Sequence, residues 1–319
     1  MFSKALPGLA GALAASALLL GANAALAHTI VGDRVFPATL TIDDPGVNDE
    51  LALPAFSYQS LPNGDGTYNY STSLTWEYAK TITSDLGISV GNGVTFQRNP
   101  QATGWSNLET QLKYVLYQNL KQELIFAAAV NVEIGHTGSP PGSALPADPY
   151  STITGKLYFG KGFGDAPADW LRPFAITGEV DFSNPTTNMD SLGNLHQTYL
   201  TWGGSLQYSL LYQNSYVSEV PDVFKKLIPS FEAILTTPVS WTGPSVPSIP
   251  GVHETTGVVG PSLYYIGQYF EIGVMAQIPV NSDSGKHLGA LAVLDFFLDD
   301  IAPDSIGKPL FGATHTSRY

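Results

Sequence analysis

Tyr68-Asn69-Tyr70-Ser71-Thr72-Ser73-Leu74-Thr75-Trp76-Glu77-Tyr78 decides the fold. The even positions carry Tyr68, Tyr70, Thr72, Leu74, Trp76 and Tyr78; the odd ones carry Asn69, Ser71, Ser73, Thr75 and Glu77. Successive side chains of a β-strand point to opposite faces, so this stretch is a strand that divides apolar from polar surface residue by residue.

The same division recurs along the chain. Leu108, Thr110, Leu112, Tyr114 and Leu116 oppose Asn107, Glu109, Gln111 and Lys113, and Leu124, Phe126, Ala128, Val130, Val132 and Ile134 oppose Glu123, Asn131 and Glu133. Further copies fall at 152–160, 172–182, 197–210, 227–236, 258–266, 269–279 and 288–298, with weaker ones at 51–59 and 86–97. Turns rich in Gly, Pro, Asn, Asp and Ser separate them, and the whole set predicts about twelve strands. An even number of antiparallel strands, each about 9 to 11 residues long, is what a transmembrane barrel needs to satisfy every backbone group without an edge. The fold expected is therefore all-β, a closed antiparallel transmembrane β-barrel. A soluble β-sandwich also alternates. Against it, Tyr68 and Tyr78 lie ten residues apart on one apolar face, which on a strand tilted by about 40° matches the roughly 25 Å apolar band between aromatic girdles.

Connection lengths point the same way. Asn119-Leu120-Lys121 is a tight turn, whereas 135–150, 183–196 and 237–254 are long and rich in Pro, Gly and Ser. Membrane barrels keep short turns in the periplasm and long loops outside.

The N-terminus reads as an address. Lys4, the small and apolar run Ala10 to Leu20, and Ala25-Leu26-Ala27 before His28 form the pattern of a cleaved secretory signal peptide. No later run approaches the 18 apolar residues of a membrane helix. The organisation expected is a signal peptide over 1–27, an N-terminal periplasmic segment over 28–50, the barrel over 51–298 and a C-terminal tail over 299–319. Export to the outer membrane of a Gram-negative bacterium follows, with outer-membrane lipid and the barrel assembly machinery as partners.

Composition narrows the function. Only 13% of the 319 residues are charged, against about a quarter in soluble domains. The chain has no cysteine, which removes thiol catalysis and Cys-ligated metals. Its 14 basic residues face 27 acidic ones, a net charge of −13, so no nucleic-acid partner is expected. Gly160-Lys161-Gly162-Phe163-Gly164 sits at a strand end and not at a strand-to-helix turn, which argues against a phosphate loop. The six histidines have no metal-ligand spacing. His28, if exposed by cleavage, could chelate copper through its amine and ring, but the sequence names no further ligand. No histidine stands near a serine in a recognisable hydrolase pattern. The expectation is a non-enzyme with no catalytic residues, cofactor or metal.

The inward-facing charges are the functional candidates: Glu77, Glu109, Lys113, Glu133, Lys156, Arg172, Glu179, Asp181, Glu232, Glu271 and Asp295. Tyr68, Trp76, Tyr78, Tyr114, Trp202 and Tyr208 are the expected aromatic girdle. Acidic residues predominate in the first set, so an open lumen should favour cations or neutral solutes. Opposite charges could equally pair across a narrow lumen and close it.

Three segments resemble a known family. Ser106-Asn107-Leu108-Glu109-Thr110-Gln111-Leu112-Lys113-Tyr114, Gly135-His136-Thr137-Gly138 and Leu294-Asp295-Phe296-Phe297 are similar to the transporter-like barrels of the phenol-degradation meta-pathway family. The chain departs from that pattern with Ser106-Asn107 in place of Gly-Asp, and with about twenty residues beyond its last strand, which ends near Leu298. The resemblance implies uptake of, or permeability to, small molecules, without fixing which. The expected function is an outer-membrane channel or passive transporter for a small-molecule solute. The alternatives are a closed structural or adhesive barrel binding through its loops, and a secreted soluble β-sandwich.

Overall fold

The computed structural model describes residues 29–62, 67–187, 196–239 and 254–311. The proposed signal peptide, His28 and the end of the tail, 312–319, lie outside the described residues.

Fifteen strands follow one another: β1 (Thr29–Val31), β2 (Arg34–Phe36), β3 (Glu50–Pro62), β4 (Tyr68–Thr83), β5 (Leu86–Arg98), β6 (Gln101–Trp105), β7 (Leu108–Asn119), β8 (Leu124–Ile134), β9 (Thr152–Gly162), β10 (Phe174–Pro185), β11 (Tyr199–Tyr208), β12 (Leu227–Pro238), β13 (Thr256–Ile266), β14 (Phe270–Pro279) and β15 (Gly289–Phe297). Among the described residues there are also two short α-helices, α1 (Leu210–Tyr216) between β11 and β12, and α2 (Leu298–Ile301) after β15.

Twelve strands close a ring. Neighbours run β4, β3, β15, β14, β13, β12, β11, β10, β9, β8, β7, β5, and β5 pairs again with β4. The extra strand, β6, folds back on the outer part of β5 from Val94↔Trp105 to Arg98↔Gln101, while Leu86 to Gly91 of β5 pair with β7. Every one of the twelve barrel strands overlaps a segment that the alternation marked, and none of them is a helix. Among the described residues no helix is long and apolar enough to cross a membrane, which says nothing of crossing by strands.

The wall is apolar outside and polar within. On β9, Leu157 is 59% exposed and its neighbour Tyr158 is 2% exposed. On β14, Ile272, Val274 and Ile278 face out while Glu271, Met275 and Gln277 are buried. Exposed Leu112, Val130, Val180, Trp202, Leu206, Phe231 and Leu263 extend the outer belt to other strands. In water such a surface would be an aggregation site. In hydrocarbon it is the solvent-matched side of the barrel.

The short connections at 84–85, 120–123 and 267–269 share one end of the barrel, here called the inner end. The connections 135–151, 186–198 and 239–255 leave from the other, outer end. The inner end also carries two longer links, 163–173 and 209–226, the second containing α1.

One boundary differs from the sequence reading. That reading sets 28–50 below the barrel as a periplasmic segment, but residues 29–49 lie inside it. The β1–β2 hairpin turns at Gly32-Asp33, where Gly32 has φ of +63° and a Cβ would collide with the carbonyl of Leu120. The hairpin carries Val31 and Phe36, both 0% exposed, into a cluster with Ile125 and Ala175. Ile42 is 1% exposed. Apolar residues that are few and irregularly spaced give no strand periodicity, yet a twelve-stranded lumen has room to bury them.

The tail is described as far as residue 311. After α2 it runs along the inner rim, where Leu310 N donates to Thr81 O (3.1 Å) and Phe311 N to Ile82 O (2.8 Å).

Candidate functional site: a charged lumen and the segment seated in it

Strand register, not sequence spacing, arranges the lumen charges. One row of the ladder crosses β8, β7, β5, β4, β3, β15 and β14 as Glu133, Glu109, Gly91, Glu77, Ala52, Asp295 and Glu271. Five of those seven positions are carboxylates, and all point inward. A second row crosses β7 to β10 as Lys113, Ala129, Lys156 and Asp181. The lysines are thus interleaved with carboxylates: Lys113 shares β7 with Glu109, and Lys156 stands across from Asp181.

The lysines are held. Lys113 Nζ lies 2.7 Å from Asp43 Oδ2 and 3.5 Å from Asp44 Oδ1, and 4.9 Å from the Tyr158 ring centroid. Lys156 Nζ is 3.2 Å from Asp181 Oδ2. Glu179 accepts the Asp43 main-chain N–H at 3.2 Å. Across the lumen Glu232, fully buried, accepts from Thr41 N (3.0 Å), Thr41 Oγ1 (2.7 Å) and the Tyr264 hydroxyl. That hydroxyl in turn accepts Leu40 N at 2.7 Å. Partners on β7, β10, β12 and β13 surround a segment that therefore lies within the ring.

At the inner end Arg34 of β2 is 0% exposed. Its Nε donates to Glu123 Oε2 at 3.2 Å, its Nη1 to Pro173 O at 3.0 Å and its Nη2 to Arg172 O. Its guanidinium carbon also sits 4.0 Å from the Tyr212 ring centroid. A buried guanidinium needs its donors filled, and this one has a carboxylate, two carbonyls and an aromatic face. Asp49, where the segment meets β3, accepts from Lys80 Nζ and Thr81 N, both at 2.7 Å.

Ten of the eleven charges named from sequence face the lumen. Arg172 does not: it lies before β10 in the inner connection, 3.2 Å from Asp169, because the strand begins only after Pro173. Of the aromatics, Tyr68 starts β4 at the outer end, and Tyr114 and Tyr208 sit towards the inner end, where Tyr208 packs edge-on to Phe174 at 4.7 Å. Trp76, Tyr78 and Trp202 share the outward parity of their strands and lie further into the span. Sequence reasoning passed over Arg34, Asp43, Asp44, Asp49, Glu50 and Glu123. Glu123 was readable as a polar residue just before β8; the aspartates showed no pattern at all.

The lumen has wet parts. Glu77 and Glu109 point inward and are nonetheless solvent-exposed. Between the segment and the wall lies a cavity of about 20 Å³ lined by Asn48, Glu50, Glu77, Ser89, Gln111 and Lys113, room for water but not for a solute. Ser205 Oγ, Ser262 Oγ and Gln277 Oε1 are buried at inward positions with no hydrogen-bond partner among the described residues, as expected where water completes the hydrogen bonding.

No family model and no curated protein matches the chain. Solved structures do. An outer membrane channel from Pseudomonas putida F1 aligns with a TM-score of 0.48 and 12% identity over 82% of this chain and 99% of that one. The NanC porin aligns at 0.45 and 7% over 78% and 98%. LpxR from Salmonella typhimurium aligns at 0.43 and 10% over 78% and 99%. The chain is similar to outer-membrane β-barrels, channels among them; at such identities the likeness is one of architecture, and what this barrel does is argued from its own lumen.

Proposed function

We propose that the protein is an outer-membrane channel or passive transporter for small molecules. One observation carries the reading: a closed wall, apolar towards lipid, encloses a lumen whose inward carboxylates Glu77 and Glu109 remain in contact with water. A barrel that served only as an anchor could fill its interior with apolar side chains at no electrostatic cost. The proposal takes in small apolar compounds among the solutes; the resemblance to the phenol-degradation family supports uptake of small molecules without fixing which. Lipid, the assembly machinery and a cleaved leader belong to the same proposal.

The row of inward carboxylates sets the selectivity. Cations and neutral solutes pass in preference to anions, so the reversal potential in a potassium chloride gradient across a planar bilayer should report cation preference. Glu77→Gln with Glu109→Gln should bring that preference towards unity. A wild-type preference for anions would refute the assignment. The seated segment favours a second reading, a closed barrel acting through its outer loops, and that reading expects no conductance at any voltage.

A further inference from the structure

We infer that residues 29–49 form a displaceable gate, latched on Lys113, hinged at Asp49 and sensitive to the sign of the membrane potential. This rests on the channel reading and adds to it what opens the channel.

The attachment is of a kind that can let go. Each barrel strand is tied to its neighbours by long backbone ladders, eleven registered pairs between β9 and β10 for example. Among the described residues β1 and β2 pair only with each other, and no main-chain to main-chain hydrogen bond joins 29–48 to a barrel strand. The segment is held instead by side chains: Lys113 on Asp43 and Asp44, Glu232 on Thr41, Glu179 on Asp43, and Glu123 on Arg34. Withdrawing it breaks no ladder and leaves the barrel whole. The other end is fixed, since Asp49 accepts from Thr81 N and Lys80 Nζ and its carbonyl accepts Leu298 N at 2.8 Å.

Direction follows from where the two ends lie. The hairpin rests on the Leu120 turn, with Gln118 Nε2 donating to Ile30 O at 3.1 Å, and Asp49 sits by the inner end of β4. Both ends are at the inner mouth, so the segment leaves by that mouth. Its moving part carries Asp33, Asp43 and Asp44 against Arg34, an excess of negative charge. A potential positive on the inner side therefore draws it out of the lumen, and the opposite potential seats it. Each elementary charge moved through the full drop changes the open-to-closed ratio about fifty-fold per 100 mV. Moving through part of the drop, the segment should give at least about a tenfold difference between the two polarities.

The lack of native cysteine allows a clean lock. A Cβ at Gly160 on β9 would stand 3.0 Å from Pro45 Cγ, a separation that a cystine can bridge. The experiment is single-channel recording of the full chain in planar bilayers, with orientation assigned by protease cleavage of an outer loop. Wild type should open preferentially with the inner side positive. Pro45→Cys with Gly160→Cys should stay shut at both polarities when oxidised and recover when reduced, and Lys113→Gln should raise the open fraction at zero voltage. The gate is refuted if the oxidised pair conducts like the reduced one, or if opening favours the other polarity. If no form conducts, including the reduced pair and Lys113→Gln, the channel reading itself falls.

Discussion

Leu157→Arg places a guanidinium at the centre of β9, the sixth of its eleven residues. The side chain is 59% exposed, paired across the strands with Ala128 and Val180, and Val180 is itself 44% exposed. If that face meets hydrocarbon, an arginine at mid-depth costs about 2–4 kcal/mol of barrel stability. The unfolding equilibrium then shifts by roughly 30- to 900-fold. If the face meets water, an exposed substitution changes stability by no more than about 0.5 kcal/mol. The two cases are well separated. Guanidinium titration of vesicle-embedded protein, followed by tryptophan fluorescence, measures the difference, with Leu157→Ala as the reference that removes the side chain without adding charge. A Leu157→Arg midpoint equal to that of Leu157→Ala would mean that the outward face is not in lipid, and the membrane assignment would be lost with it.

Two further outcomes follow from the inner end. Arg34→Met strands Glu123 in a buried site, which costs about 3–5 kcal/mol. Hydrogen exchange over 29–36 should accelerate by two orders of magnitude or more, with Arg34→Met combined with Glu123→Gln recovering part of the protection; unchanged exchange in the single variant would show that the pair does not dock the hairpin. Burial, together with the negative charges of Asp300 and Asp49, pushes the Asp299 carboxyl up to about 7. The folded barrel therefore holds that proton more tightly than the unfolded chain, whose value is about 3.9, and stability contributed by the protonated form is lost as pH rises from about 4 to about 7. The temperature at which the compact form is lost on a gel should fall across that window in wild type and less steeply in Asp299→Asn; identical slopes would remove the assignment.

The alternation that begins at Tyr68 determined a great deal. It is a local property, written residue by residue, and closing the sheet leaves its phase intact: Asn69 and Ser71 are buried within while Leu74 is exposed outside. Strand count, barrel class and the inward direction of Glu77, Glu232 and Glu271 were legible for that reason. The ladder row that aligns Glu133, Glu109, Glu77, Asp295 and Glu271 was not, since register depends on turn lengths and on bulges such as the one between Ala52 and Ala55, which spacing in the sequence does not reveal.

Least legible was the segment 29–49. It has no period, and its partners lie far off in the chain, Leu40 with Tyr264 and Arg34 with Glu123. Nothing within twenty-one residues says whether Asp43 faces water or a lysine. Only the closed ring, by enclosing a space and placing Lys113 on its wall, turned a polar leader into the occupant of the lumen. Local sterics act through neighbours in sequence and were readable there; burial and charge pairing act through neighbours in space, which exist only once the barrel has closed.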